Sequence, residues 1–147
     1  MLNWKTKAFN ELNNYELYEI LKLRAKVFVV EQNCVFQDMD DKDQKCLHVL
    51  GFEDDTLVAY SRLVPSGVSY KEASIGRVVT DPNYRRRELG KRLMQVSVDK
   101  LYEEFGKQPI RIGAQCYLTA FYQSFRFNIN SDEYLEDGIP HVEMLRL

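Results

Sequence analysis

The densest chemistry in the chain lies between Ile75 and Met94, where an apolar strand runs into a basic turn and then a helix. The turn reads Arg85, Arg86, Arg87, Glu88, Leu89, Gly90, Lys91. The first turn of a helix leaves backbone N–H groups without partners, and with the helix dipole they favour a bound anion such as a phosphate or pyrophosphate. The arginines and Lys91 add charge there, and Gly90 lets the backbone approach closely. On local composition alone, a triple-arginine turn is equally well read as a solvated surface. Two further arginines, Arg62 and Arg77, sit inside apolar strands, where a guanidinium needs an anionic partner. The acidic run Asp38 to Asp43 offers Arg77 a structural partner; an acceptor carboxylate is the other reading. As a calcium loop that run is poor, since Lys42 and Asp43 stand where a ligand and a turn glycine are needed.

These residues need a scaffold. Leu2 to Phe9 reads as a strand, and Asn13 with Glu16 makes a cap-like start to a helix carrying Leu17, Ile20, Leu21, Val27 and Phe28 on one face. Gln32 to Lys45 is a polar, acidic loop or short irregular helix. Leu47 to Phe52, Leu57 to Val64 and Ala73 to Thr80 are expected to form an antiparallel meander. A second helix carries Met94, Val98, Leu101 and Phe105, and Gly106 and Pro109 end it. Ile110 to Cys116 is a short strand, Thr119 to Phe127 a short aromatic helix, and Val142 to Leu147 a final strand. The order β-α-β-β-β-α-β-α-β predicts an α/β (α+β) mixed sheet. No repeat, low-complexity segment or linker interrupts it, so one domain over residues 1–147 is expected.

Composition narrows the function. Hydrophobic residues at 45% and charged residues at 29% match an ordinary folded domain. A formal net charge of −2 argues against a nucleic-acid binder that relies on a basic surface. No apolar stretch is long enough to cross a bilayer, and the N-terminus lacks a signal-peptide pattern, so no membrane association and a cytoplasmic location are expected. Three cysteines, odd in number and outside any C-x-x-C pair, suggest reduced thiols and neither a disulfide framework nor a metal site.

At the basic turn the sequence resembles the GNAT (Gcn5-related N-acetyltransferase) superfamily. Its coenzyme-A signature is an Arg or Gln, two residues, a Gly, one residue and a Gly or Ala; Arg85 and Gly90 match its ends, and Glu88 replaces its first glycine. A second family segment, a strand followed by an aromatic helix, is matched in spacing by Gln115, Leu118, Phe121, Tyr122 and Phe127, with Gln115 in place of Asn and Arg126 in place of Gly. Leu23 to Cys34, Gln37 to Asp43 and Glu136 to His141 are similar to the ElaA branch.

The resemblance implies a central, mostly antiparallel twisted sheet flanked by helices. It implies acetyl-CoA as co-substrate, bound by the backbone of Arg77, Val78 and Val79, by the turn Arg85 to Lys91, and by Gln115. It also implies a small-molecule or peptide amine acceptor, direct attack without a covalent enzyme intermediate, and Tyr122 as proton donor to the departing thiolate. Otherwise Tyr122 is an aromatic core residue. His48 and His141, the only histidines, are candidate bases, and either can equally be a buried, satisfied imidazole. Glu31, Gln32, Asp38, Asp40 and Arg62 are candidate acceptor-binding residues, with a solvated loop as the alternative for the acidic run. Oligomeric state is left open by the sequence, with apolar aromatics in the C-terminal third as a candidate homodimer interface. An acyl-homoserine-lactone-synthase-like enzyme and a non-catalytic acyl-CoA-binding module are the competing functions.

Overall fold

The computed structural model describes residues 1–147, apart from the side chains of Arg86 and Arg87. Strands β1 (Leu2–Ala8), β2 (Leu47–Glu53), β3 (Thr56–Val64) and β4 (Ser74–Thr80) form an antiparallel sheet in sequence order. Between β1 and β2 comes α1 (Asn14–Arg24), which starts on a reciprocal cap. Asn13 Oδ1 accepts from the Glu16 N–H at 2.8 Å, and Glu16 Oε1 accepts from the Asn13 N–H at 3.0 Å.

Strand β3 is buried from Leu57 to Val64 because both its faces are covered, which explains why it is apolar apart from Ser61 and Arg62. On one face Leu50, Leu57, Tyr60 and Val79 pack against Ile20, Leu23 and Val27 of the first helical segment. On the other, Val49, Val58 and Leu63 meet Leu93, Met94, Val98 and Leu101 of α2 (Leu89–Phe105). Ser61 and Ser97, both fully buried, satisfy one another across that interface at 2.7 Å.

The second sheet is built from β5 (Ile110–Gln115) and β8 (Ile139–Arg146), which pair antiparallel along their whole length. Between them come α3 (Thr119–Gln123), β6 (Asn128–Ile129) and β7 (Tyr134–Glu136), and β6 and β7 both pair with β8. Asp137 and Gly138, at φ 50° and 78°, make the tight turn from β7 to β8. The two sheets meet at one parallel bridge, Ala73 to Ile110, where the Arg111 N–H donates to the Ala73 carbonyl at 2.9 Å. Beyond it, among the described residues, β4 and β5 no longer pair and the sheet splits into a wedge.

Four elements depart from expectation. The first helix does not end as an α-helix: Ala25–Glu31 winds as a π-helix, with Gln32 and Cys34 N–H groups reaching five residues back to Val27 and Val29 carbonyls at 3.1 and 3.0 Å. The basic turn is a 3₁₀ turn over Pro82–Arg87, capped by Asp81, whose Oδ1 accepts from the Asn83 N–H at 2.9 Å. The last strand begins at Ile139, before the expected Val142, and hairpins with β7, a strand too short and polar to show a period in the sequence. The aromatic helix expected to reach Phe127 stops at Gln123.

Candidate active site

A cavity of about 1080 Å³ opens in the wedge between β4 and β5. One wall is the edge of β4 from Ile75 to Thr80; the facing wall carries Ile112, Gly113 and Gln115. The π-turn closes a third side with Val27, Phe28 and Glu31. A π-turn is wider than an α-turn and rotates the side chains that follow it. Here it leaves Val27 in the core and puts Phe28 and Glu31 on the cavity.

Strand β4 is distorted where it matters. Tyr60 pairs with Val79 and Arg62 with Gly76, so one extra residue of β4 is accommodated and neither Arg77 nor Val78 has a partner in β3. Arg77 takes φ 49°, a left-handed conformation in which its Cβ crowds the backbone and which is uncommon outside glycine. An ion-pair network fixes it there. Arg77 donates from NH2 to the Asp38 carbonyl at 2.8 Å, and its Nε stands 2.8 Å from Asp38 Oδ1. Asp38 also accepts from Arg24 Nε at 2.7 Å. Asp43 Oδ1 accepts from Arg24 at 2.8 Å and from Arg62 at 2.9 Å, and Arg62 forks onto Asp40. Three arginines and three aspartates thus tie the loop after the π-turn to β3 and β4. Burial pushes the Asp40 and Asp43 carboxyls up, but the hydrogen bonds and charges of Arg62, joined at Asp43 by Arg24, outweigh it and hold both below the ordinary carboxylate range.

At the other end of the wedge stands the start of α2. Its N-cap, Glu88, makes no side-chain capping hydrogen bond and takes φ 55°. Glycine suits that left-handed position, which gives the family's first glycine a backbone reason and makes Glu88 a strained substitute. Gly90 lines the cavity, and a Cβ there would lie 3.8 Å from Phe121 Cζ, an ordinary contact. Arg85 also lines it and forks onto Glu31 across the mouth at 2.7 and 3.0 Å. An uncapped helix start, an arginine and an open edge of strand together fit a coenzyme A, whose pyrophosphate suits the first pair and whose pantetheine amides suit the third.

Tyr122 and His141 both reach this cavity. Tyr122 comes from α3, is 8% exposed, and stacks edge-on with Phe121 and Phe127. Burial pushes its phenol up to about 12, so it carries its proton throughout the neutral range. His141 Nδ1 lies 2.7 Å from the Ile139 carbonyl, which can only accept, so Nδ1 carries a proton. Among the described residues Nε2 has no hydrogen-bond partner; it lies 3.6 Å from Glu136 Oε2 in a ring that lines the cavity. Gln32 and Gln115 exchange amide hydrogen bonds at 3.3 Å, bridging the π-turn to the end of β5.

Of the residues expected at the site, Arg77, Val78, Val79, Arg85, Gly90 and Gln115 line the cavity, as do Glu31, Gln32, Asp40 and Arg62. Others stand elsewhere. His48 is not brought there: its Nε2 lies 2.8 Å from the Asp43 carbonyl and its Nδ1 2.6 Å from the Tyr60 hydroxyl, so both nitrogens are engaged inside the core and burial lowers its pKa. Asp38 lies behind the wall, committed to Arg24 and Arg77. Leu89 packs into the core, and Lys91 and the N-cap Glu88 are exposed. The side chains of Arg86 and Arg87 lie outside the described residues. Asp40 and Arg62 already neutralise one another, which makes them wall rather than open ligands. Arg24 and Glu136 were missed. Arg24 sits on the buried stripe between Ile20 and Val27, and that placement was its only signal.

A sheet split after one bridge, a bulge in the strand beside the split and an uncapped helix start opposite it define an acyl-CoA N-acyltransferase architecture. The sequence agrees: a family model described as "Acetyltransferase (GNAT) domain" matches residues 12–146, and the chain belongs to that family. Within it, the chain is similar to Protein ElaA of Escherichia coli, 40% identical over 148 residues, 99% of this chain and 97% of that one. The crystal structure of E. coli ElaA superposes with a TM-score of 0.93 at 39% identity, covering both chains fully. An acyl-CoA N-acyltransferase from Pseudomonas aeruginosa superposes at 0.95 with 36% identity, again over both whole chains. The acyl-homoserine-lactone synthase LasI shares the fold alone, at 14% identity and a TM-score of 0.79, over 99% of this chain and 89% of that one. Family membership makes acyl transfer from an acyl-CoA the class of chemistry. Among the described residues no helix is long and apolar enough to cross a membrane, and no cluster of His, Cys, Asp and Glu is placed to hold a metal.

Proposed function

We propose that the protein transfers an acetyl group from acetyl-CoA to a primary amine by direct attack in a ternary complex. The observation that carries this reading is the convergence of the bulged edge of β4, Tyr122 and His141 Nε2 on one cavity. Acetyl-CoA supplies the activated thioester. The Arg85 side chain and the first turn of α2 hold its pyrophosphate, and the unpaired edge of β4 from Arg77 to Val79 holds its pantetheine arm.

His141 Nε2 takes a proton from the acceptor ammonium and passes it to solvent, leaving a free amine. The C–N bond forms as negative charge develops on the carbonyl oxygen, where a backbone N–H of the bulge at Val78 or Val79 stabilises it. As the C–S bond breaks, Tyr122 gives its proton to the sulfur, and its phenolate recovers the second proton of the attacking nitrogen. The phenol of Tyr122 suits this role because its raised pKa keeps it fully protonated before the step. No metal or covalent enzyme intermediate enters the scheme.

The test is a calorimetric titration with acetyl-CoA, with ATP and S-adenosylmethionine as controls at equal ionic strength. Selective binding is expected, weakened about tenfold in Arg85→Ala, the effect of one half-exposed charge-assisted contact. Equal affinity of parent and variant refutes the cofactor placement.

A further inference from the structure

We infer that Glu136 is the specificity residue of the acceptor site and selects an aliphatic di- or polyamine, holding its second ammonium while the first reacts at His141. The inference rests on the proposed transfer to an amine and names the class of that amine.

The end of the cavity away from α2 is built by the β7–β8 hairpin and the loop after the π-turn, which touch where Cys34 Sγ donates to the Asp137 carbonyl at 3.3 Å. The other charges of the lining are already matched: Arg62 and Arg77 by Asp38, Asp40 and Asp43, and Arg85 by Glu31. Lys42, the remaining cation of the lining, follows Asp40 and Asp41 in the chain. The hairpin is different. From Phe127 to Glu143 the chain carries Asp132, Glu133, Glu136, Asp137 and Glu143 and no lysine or arginine. Glu143 is held by Arg111 at 3.0 Å, and among the described residues no cation is found to pair with Glu136 except the His141 ring when that imidazole is protonated on both nitrogens.

The second observation is the ring itself. The His141 side chain is 8% exposed and lines the cavity, yet among the described residues its Nε2 has no hydrogen-bond partner. Glu136, 3.6 Å outward of it, is 59% exposed. An enclosed proton acceptor and a lip carboxylate lie one behind the other. A small molecule with two ammonium groups separated by a few carbons fits that pair: the inner nitrogen loses its proton to Nε2 and the outer one keeps its charge against Glu136. A monoamine leaves the carboxylate unused. A lip of one charge also raises the local concentration of a multivalent cation, an effect that salt weakens.

The experiment compares kcat/KM for 1,4-diaminobutane and n-butylamine, by thiol release from acetyl-CoA, in the parent and in Glu136→Gln. The expected ratio is about tenfold in favour of the diamine at low salt, falling to about twofold in the variant and also in the parent at high salt, as for a partly exposed charge pair. Using the ratio cancels any effect of Glu136 on His141 that both acceptors share. Calorimetric binding of 1,4-diaminobutane, with and without coenzyme A, reads the same site without turnover. Diamine binding lost in Glu136→Gln supports the inference even where no transfer occurs, an outcome that sinks only the proposed reaction. Equal kcat/KM for the two amines in the parent, an unchanged ratio in the variant, diamine binding indifferent to Glu136, or acetylation of a basic peptide in preference to every free diamine overturns it.

Discussion

Replacing Arg24 by methionine keeps the length of the side chain and removes one charge from the network behind the active site. Arg24 is 0% exposed and donates to Asp38 at 2.7 Å and to Asp43 at 2.8 Å. Breaking a buried pair by deleting one partner costs about 3–5 kcal/mol, because the orphaned charge stays buried. In Arg24→Met each carboxylate keeps one cation, Asp38 the guanidinium of Arg77 and Asp43 that of Arg62, so the loss falls at the low end, about 3 kcal/mol. Denaturant unfolding of parent and variant at neutral pH measures it. The pH dependence follows from Asp43, whose folded pKa is depressed. A depressed carboxylate contributes stability that is present above its unfolded pKa, near ~3.9, and lost as pH falls through the folded value. The gap between parent and variant is therefore full at pH 7 and shrinks below about pH 4. A destabilisation under ~1 kcal/mol at pH 7, or a gap unchanged down to pH 3, would falsify the claim that these pairs hold the loop against the sheet.

Tyr122→Phe is expected to lower kcat by about 10²-fold or more while acetyl-CoA affinity in the calorimeter stays within about twofold, since a general acid acts in the transition state. Because the phenol is raised to about 12, the parent shows no alkaline loss of kcat from Tyr122 up to pH 9; such a loss that vanishes in the phenylalanine variant contradicts the assignment. Glu88→Gly relieves a side chain held at φ 55° and removes a carboxylate from the start of α2. Thermal unfolding is expected to show a gain of about 1 kcal/mol, with tighter acetyl-CoA binding. A loss of both means that Glu88 makes contacts worth more than its strain.

The sheet, both long helices and the basic turn were legible because each rests on local pattern: alternation in β1 and β5, a mostly apolar run in β3, and a heptad-like stripe in α2. What was hidden depends on pairing across the chain. The π-turn preserves the composition of a helix and changes only its winding, so Leu17 and Leu21 were placed on one face with Ile20 and Val27, while the structure buries Ile20, Leu23 and Val27 more deeply. Strand β7 has three residues and exists through its register with β8. The partners of Arg62 were foreseeable in kind, since a buried guanidinium requires an anion, but Arg24 had the appearance of a surface charge on a helix. The two histidines were indistinguishable by type. Their roles separate only because His48 finds two partners in the core and His141 finds one.

The Arg85–Glu31 fork bears on the order of events under the proposed placement of the donor. A pyrophosphate on Arg85 competes with Glu31 for the N–H groups that now fork onto its carboxylate, so the arrival of the nucleotide end weakens that fork. Glu31 closes the π-turn, and the next residue, Gln32, clasps Gln115 over the cavity floor. Under the proposed placement, loading the donor loosens one hinge of the wall that the acceptor must pass, which favours an ordered sequence of donor before acceptor.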